Sequence, residues 1–249
     1  VVGVTQPISK WNYQIRRAED IPWAVARAFY IARSGRPGPV VLDFAKNAQT
    51  AMIEYAPQTV DFIRSYNPVP ETQPGSIEMA AELINQSVKP LMLVGQGVEL
   101  AGARQELLAL CEKAQIPFGQ TMLGLSAAPT GHPLNMGMLG MHGNLAPNVM
   151  TNQCDLLIAV GMRFDDRVTG DLHTYAKQAK VIHFEIDPSE AGKIVKPTVA
   201  VLGNCKQTLA QVTELVEPAR HQAWIDGFKP YAEKEYNKVI DAALNPKDG

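Results

Sequence analysis

Leu156-Leu157-Ile158-Ala159-Val160-Gly161-Met162-Arg163-Phe164-Asp165-Asp166-Arg167-Val168-Thr169-Gly170 joins an apolar run to a glycine and then to a charged loop. A run this short, without polar interruption and closed by glycine, reads as a strand buried on both faces, the mark of a parallel sheet. The loop then lies at the strand's carboxyl end, where open α/β sheets bind ligands. Arg163 and Arg167 suit diphosphate or carboxylate groups because a guanidinium presents a planar fork of donors, and Asp165 and Asp166 can hold those forks in place. By charge alone, local ion pairs account for the same letters equally well. The position after a buried strand favours a ligand.

Outward from this stretch, strands and helices alternate. A helix capped by Ser76 runs to about Gln86, and Leu91-Met92-Leu93-Val94 is a strand ending in Gly95-Gln96-Gly97. Residues 101–115 read as helix, Ile116 to Thr121 as strand, and 124–143 as a Gly- and Met-rich stretch without period. Helix returns near 145–153. Strands follow at Val181–Ile186 and Thr198–Leu202, the second closed by Gly203, and a helix at about 205–216. This alternation implies βαβ crossovers and a parallel sheet with helices on both faces. Upstream, residues 19–35 read as a helix with Asp20 at its N-cap, Pro22 in its first turn and Gly35 as its stop, before a strand at Val40–Phe44. From Ala48 to Gly75 the period is lost and Pro57, Pro68, Pro70 and Pro74 accumulate, which reads as a linker. Residues 219–249 read as a charged helix and a polar end, Asn245 to Gly249, leading out of the domain. The opening Val1-Val2-Gly3-Val4 reads as a cut inside a longer protein, and a targeting peptide upstream of it would not be visible.

The 249 residues are 46% hydrophobic and 19% charged, an ordinary globular balance. A net charge of −2 gives no electrostatic reason to expect nucleic acid or an anionic membrane surface. No apolar run approaches the roughly 20 residues of a bilayer span. Cys111, Cys154 and Cys205 are far apart and form no CxxC pair, so a reduced intracellular setting, cytoplasmic if the source is bacterial, is expected, without a cysteine zinc site.

Further segments carry weaker signals. Gly95-Gln96-Gly97 would let backbone approach a phosphate, but Leu100 breaks GxGxxG, so a plain tight turn is as good a reading. Met136, Met138 and Met141 lie among glycines, and thioethers suit either a flat ring or an irregular core. His142 reads first as a structural histidine. Arg36 projects from the rigid turn Ser34-Gly35-Arg36-Pro37-Gly38-Pro39. HExxH, G-x-S-x-G and GxxxxGK[ST] are absent from the sequence.

Together these segments resemble the acetolactate synthase (acetohydroxyacid synthase) catalytic-subunit family. The resemblance rests on Val1-Val2-Gly3-Val4-Thr5, Ser9-Lys10-Trp11-Asn12, Ser34 to Leu42, Gly137 to Gly143 and, most specific of all, Arg163 to Gly170. It implies a thiamine-diphosphate enzyme of three α/β domains that decarboxylates pyruvate and joins it to a second 2-ketoacid, pyruvate or 2-ketobutyrate, in branched-chain amino-acid biosynthesis. Residues 1–48 would end the pyrimidine-binding domain, 49–75 form a linker, 76–218 the central FAD-binding domain, and 219–249 a linker toward a diphosphate-binding domain. A homodimer or tetramer with a small regulatory subunit is implied.

The resemblance places Arg36 at the flavin diphosphate region across the domain boundary, and Gly95, Gln96 and Gly97 at the phosphates and ribose. Thr121, Met122 and Leu123, with Leu139, Gly140, Met141 and His142, would flank the flavin ring. Gly161, Arg163, Asp165 and Val168 would contact FAD, with Glu185, Ile186 and Glu190 near the adenosine. Arg167 would orient the carboxylate of the second 2-ketoacid, and Met141 and Asp166 would border the substrate channel where herbicides bind. Asn204 stands where the family has aspartate, and Gln96 where it often has a small residue. FAD has no net redox role in this family. The activating glutamate would lie upstream, and the GDG motif for Mg²⁺ and thiamine diphosphate is absent from these residues, so no carboligase activity is expected of them alone. Rival readings are a glyoxylate carboligase or pyruvate oxidase type of flavin-containing thiamine enzyme, or a nucleotide-binding module without such activity.

Overall fold

This computed structural model describes residues 1–245, and the chain folds as two compact units, Val1–Pro70 and Glu71 onward. The first is built on one βαβ crossover. Strand β1 (Trp11–Ile15) pairs in parallel with β2 (Val40–Phe44), from Trp11 opposite Val40 to Ile15 opposite Phe44. The helix between them, Ile21–Arg33, has Pro22 in its first turn and Asp20 at the N-cap position, although the Asp20 side chain makes no capping bond. Lys10 closes the other end. Its Nζ donates to the carbonyls of Ile31 (2.6 Å), Ser34 (2.7 Å) and Arg36 (2.9 Å), satisfying groups that a helix C-terminus leaves open.

The second unit carries six parallel strands: β3 (Pro90–Val94), β4 (Phe118–Gln120), β5 (Asn135–Met138), β6 (Leu156–Val160), β7 (Lys180–Glu185) and β8 (Val199–Leu202). They lie in the order β5-β4-β3-β6-β7-β8. Successive side chains of a strand point to opposite faces, and here both faces are apolar. Met92, Val94, Ile158, Val160 and Phe184 pack under the helices Ser76–Gln86, Arg104–Ala114 and Cys205–Leu215. Leu91, Leu93, Leu157 and Ala159 pack on the opposite face with Ala146, Met150, Trp224 and Phe228. The expected parallel sheet with helices on both faces is thus the observed one, preceded by the βαβ unit.

Details differ from the sequence reading. Gly75, not Ser76, occupies the N-cap of the first central helix, and the Ser76 hydroxyl turns back to donate to the Gln73 carbonyl at 2.8 Å. The helix expected over 101–115 is Arg104–Ala114, and a separate short helix, Gln96–Leu100, precedes it across a turn at Gly102. The stretch 124–143 contains the edge strand β5, whose pairing with β4 slips between Phe118–Asn135 and Gln120–Met138. That irregularity removes the period-2 pattern a strand would show in sequence. The segment 219–249 carries the helices Gln222–Asp226 and Lys229–Glu235. Trp224 is buried there and donates from Nε1 to the Pro90 carbonyl at 2.8 Å. Of the expected polar end, Pro246 to Gly249 lie outside the described residues.

Candidate functional site

The chain runs from β3 outward to β5 and then crosses back to β6, so the strand order reverses between β3 and β6. At such a switch point the flanking loops diverge and leave a crevice beyond the carboxyl ends. Register places Val94 beside Val160, so Gly95 and Gly161 meet at this point. The Gly95 amide donates to the Val160 carbonyl at 2.9 Å and the Gly97 amide to the Gly161 carbonyl at 3.0 Å. Both amides are therefore spent on β6 rather than offered to a phosphate. Glycine is required for closeness: a Cβ on Gly161 would stand 2.6 Å from the Gly97 Cα, and Gly161 holds φ +58°.

The charged loop that follows is anchored by an apolar residue. Phe164 is buried at φ +54°, and its ring meets His183 edge-on at 5.1 Å. The His183 Nε2 lies 2.8 Å from the Met162 carbonyl, so the β7 imidazole fixes the loop from below. With Phe164 turned inward, Arg163, Asp166 and Arg167 face solvent. The Asp165 carboxylate caps the turn Asp166–Thr169 by accepting the Arg167 amide at 3.1 Å and also pairs with the Arg163 guanidinium. The Arg167 amide is the main cause that holds the Asp165 carboxyl below the usual carboxylate range.

A second loop, after β5, is tied to this one. The Met141 amide donates to the Arg167 carbonyl at 2.7 Å, and the Arg167 Nη1 lies 3.8 Å from the Met141 sulfur. Gly140 makes the approach possible, since a Cβ there would stand 2.8 Å from the Arg167 carbonyl oxygen and its φ is +104°.

The parallel register brings most of the expected positions to one edge. Gly95, Gln96, Gly97, Thr121, Met122, Leu123, Leu139, Gly140, Met141, His142, Gly161, Arg163, Asp165, Val168, Glu185, Ile186 and Asn204 all lie at or just beyond strand carboxyl ends. Met122, Leu123 and Met141 are exposed there, while Leu139 is buried. The buried Glu185 carboxylate accepts the amides of Ile186 (2.9 Å) and Asp187 (3.2 Å). Buried Glu190 pairs with Lys193 at 2.9 Å. The Asn204 side chain accepts the Lys206 amide at 2.9 Å, so it caps the helix Cys205–Leu215 without a charge. Arg36 belongs to the first unit. The edge combines an apolar, sulfur-bearing rim with exposed guanidinium groups, a surface that fits an anionic ligand with a flat ring. Among the described residues, no group of three or more His, Cys, Asp and Glu is placed to hold a metal ion. Among them, too, no helix is long and apolar enough to cross a membrane.

Sequence reasoning missed the supports of this edge. Phe164 and His183 stand in the quoted runs, but nothing in their spacing marks one as an anchor for the other. Asn148, whose carboxamide accepts the Gly140 amide and donates to the Gly140 carbonyl, carries no sequence signal at all, because an asparagine in a short helix reads as a solvent-facing residue.

Residues 77–212, more than half of the chain, match the family model for the thiamine pyrophosphate enzyme central domain. The chain belongs to this family. Within it, the chain is 41% identical to the acetolactate synthase large subunit of Corynebacterium glutamicum, over 98% of this chain and 40% of that protein. It is 42% identical to the acetolactate synthase isozyme 1 large subunit of Escherichia coli K12, over 89% of this chain and 39% of that protein. The chain thus spans about two fifths of the length of these curated relatives. A solved Mycobacterium smegmatis chain assigned as thiamin diphosphate-dependent superposes with a TM-score of 0.68 at 24% identity, covering 88% of this chain and 41% of that one. At that identity the likeness concerns the fold.

Proposed function

We propose that this chain is the central part of an acetolactate synthase large subunit, with FAD held at the carboxyl edge of the six-stranded sheet. The intact protein would decarboxylate pyruvate and join it to a second 2-ketoacid in branched-chain amino-acid biosynthesis. The observation that carries the reading is the bond from the Met141 amide to the Arg167 carbonyl, 2.7 Å long, which unites two loops at the switch-point edge. It sets an exposed thioether rim beside exposed arginines where this sheet topology binds dinucleotides. The named relatives support the large-subunit part of this reading.

In this reading Met122, Leu123 and Met141 cover a flat ring, and Arg163, held by Asp165, meets negative charge on the same ligand. Gly95, Gly97 and Gly161 keep the floor of the crevice thin. Arg167 orients the carboxylate of the second 2-ketoacid through its planar fork. Bound FAD supplies shape and support at this edge, without net electron transfer. Thiamine diphosphate and Mg²⁺ are assigned to other parts of the protein, and a small regulatory subunit is proposed as its partner.

The test is purification of the intact protein, with its visible spectrum and its product from pyruvate recorded together. Bound flavin and acetolactate formation are expected, with 2-ketobutyrate accepted as second substrate. A colourless protein that gains no absorbance on adding FAD would overturn the flavin site, and preference for glyoxylate would overturn the substrate assignment. The 249 residues alone are expected to form no acetolactate.

A further inference from the structure

We propose that Asn148 is a positioning residue that holds the Gly140–Met141 backbone in its ligand-facing shape; the proposal rests on the flavin reading above. The Asn148 side-chain amide makes a two-pronged contact with a single residue of the loop after β5. Its Nδ2 donates to the Gly140 carbonyl at 2.8 Å, and its Oδ1 accepts the Gly140 amide at 2.8 Å. A carboxamide is among the few side chains able to match both groups at once, because it carries a donor and an acceptor in one plane.

The clamp works because Asn148 stands on a fixed support. The helix Leu145–Thr151 buries Ala146, Pro147, Met150 and Thr151. Its first amide, on Leu145, is donated to the Glu235 carboxylate at 3.1 Å. On the far side of the loop, the Met141 amide is held by the Arg167 carbonyl. Gly140 is thus gripped by Asn148 on one side and its neighbour by Arg167 on the other. Gly140 alone has little conformational preference of its own, so the shape at φ +104° must be imposed from outside. The exposed Met141 side chain, and through it the contact to the Arg167 guanidinium, depends on this grip. The Asn148 side chain that covers Gly140 is itself half-exposed, so water can reach the Gly140 amide and carbonyl when the carboxamide is removed. Loss of Asn148 therefore loosens the loop and leaves the sheet and its core in place.

The experiment compares the intact wild-type protein with Asn148→Ala, Asn148→Asp and Val212→Ala. Val212 is fully buried on the opposite face of the sheet, so its truncation lowers stability without touching the loop. FAD affinity, the visible circular dichroism of bound flavin and thermal unfolding are measured for each. Asn148→Ala is expected to bind FAD about tenfold more weakly, the factor for roughly one net hydrogen bond, with an altered flavin band. Asn148→Asp keeps the acceptor but sets a carboxylate against the Gly140 carbonyl, so it is expected to weaken FAD as well. It is near-isosteric, and it carries the test if the alanine variant does not fold. Val212→Ala is expected to lower the melting temperature and leave FAD affinity unchanged. Wild-type affinity and band shape in both Asn148 variants, or an equal loss of affinity in Val212→Ala, would overturn this inference alone. Absence of flavin from the wild-type protein would overturn it together with the reading on which it rests.

Discussion

The backbone of Met141 is hydrogen-bonded to that of Arg167, amide to carbonyl at 2.7 Å, although the two residues are far apart in the chain and belong to loops after different strands. This bond turns two edge loops into one surface. It also explains why Gly140 and the charged run must be read together: the residue before Met141 approaches the same carbonyl so closely that a side chain would collide with it.

Substituting Gly161 by alanine tests the switch point. The new Cβ would sit 2.6 Å from the Gly97 Cα, and the residue would have to keep φ +58°. A loss of about 1–3 kcal/mol is expected for the backbone strain alone, read as a lower urea midpoint. An unchanged midpoint would mean that β3 and β6 can part here without cost.

Arg167→Lys in the intact protein tests the substrate role proposed for this residue. Lysine keeps the charge but loses the planar fork, so the KM for the second 2-ketoacid should rise about tenfold. Flavin content should stay at the wild-type level, since the main-chain bond to Met141 survives. A lysine variant with wild-type KM would remove Arg167 from substrate binding.

Asp165 predicts an acid limit for the loop. Its carboxyl titrates below the usual range, first because it accepts the Arg167 amide and further because of the Arg163 guanidinium. A depressed folded value means that the contribution is present above the unfolded pKa, about 3.9, and is lost as pH falls through the lower folded value. A carboxyl-carbon NMR titration should therefore place its midpoint below that of a model aspartate. Asp165→Asn should abolish this transition, and a midpoint at the ordinary value would contradict the capping geometry.

The cysteines should be silent in the native state. Burial pushes the Cys154 and Cys205 thiols up to about 12, and it raises Cys111 further. Only the thiolate reacts, so thiol titration with an aromatic disulfide at neutral pH should find almost no reactive groups until urea is added. Fast reaction of one thiol in the folded protein would contradict the burial seen here.

Trp224→Ala should cost about 3–5 kcal/mol, the range for removing a large buried aromatic side chain. Trp224 is buried, packs edge-on against Phe228 with ring centroids 5.3 Å apart, and holds the Pro90 carbonyl. Chemical unfolding of the variant measures the loss. A near-neutral result would show that the helix Gln222–Asp226 adds little to the central unit.

Much of the fold was legible because buried parallel strands leave a plain trace. Leu156–Val160 stands in the structure with the bounds its apolar run implies, β3 and β8 differ from their readings by a residue at one end, and β7 by a residue at each end. The strand β5 was not legible, since Gly137 and the slipped pairing to β4 erase alternation in Asn135–Met138. The short helix Gln96–Leu100 was hidden because Gly95 and Gly97 read as a turn, and the Ala103 amide reaching back to the Val98 carbonyl at 2.9 Å closes it before Arg104–Ala114 begins.

The sequence by itself determined the class of fold, the family and the edge at which the charged loop must lie, because burial patterns and loop composition are local properties. Only the tertiary structure decided how that edge is held. The Phe164 anchor on His183, the Met141–Arg167 bond and the Asn148 clamp on Gly140 each join residues from different elements. Such contacts depend on strand order and on distances of a few tenths of an ångström, and no periodicity along a single chain encodes them.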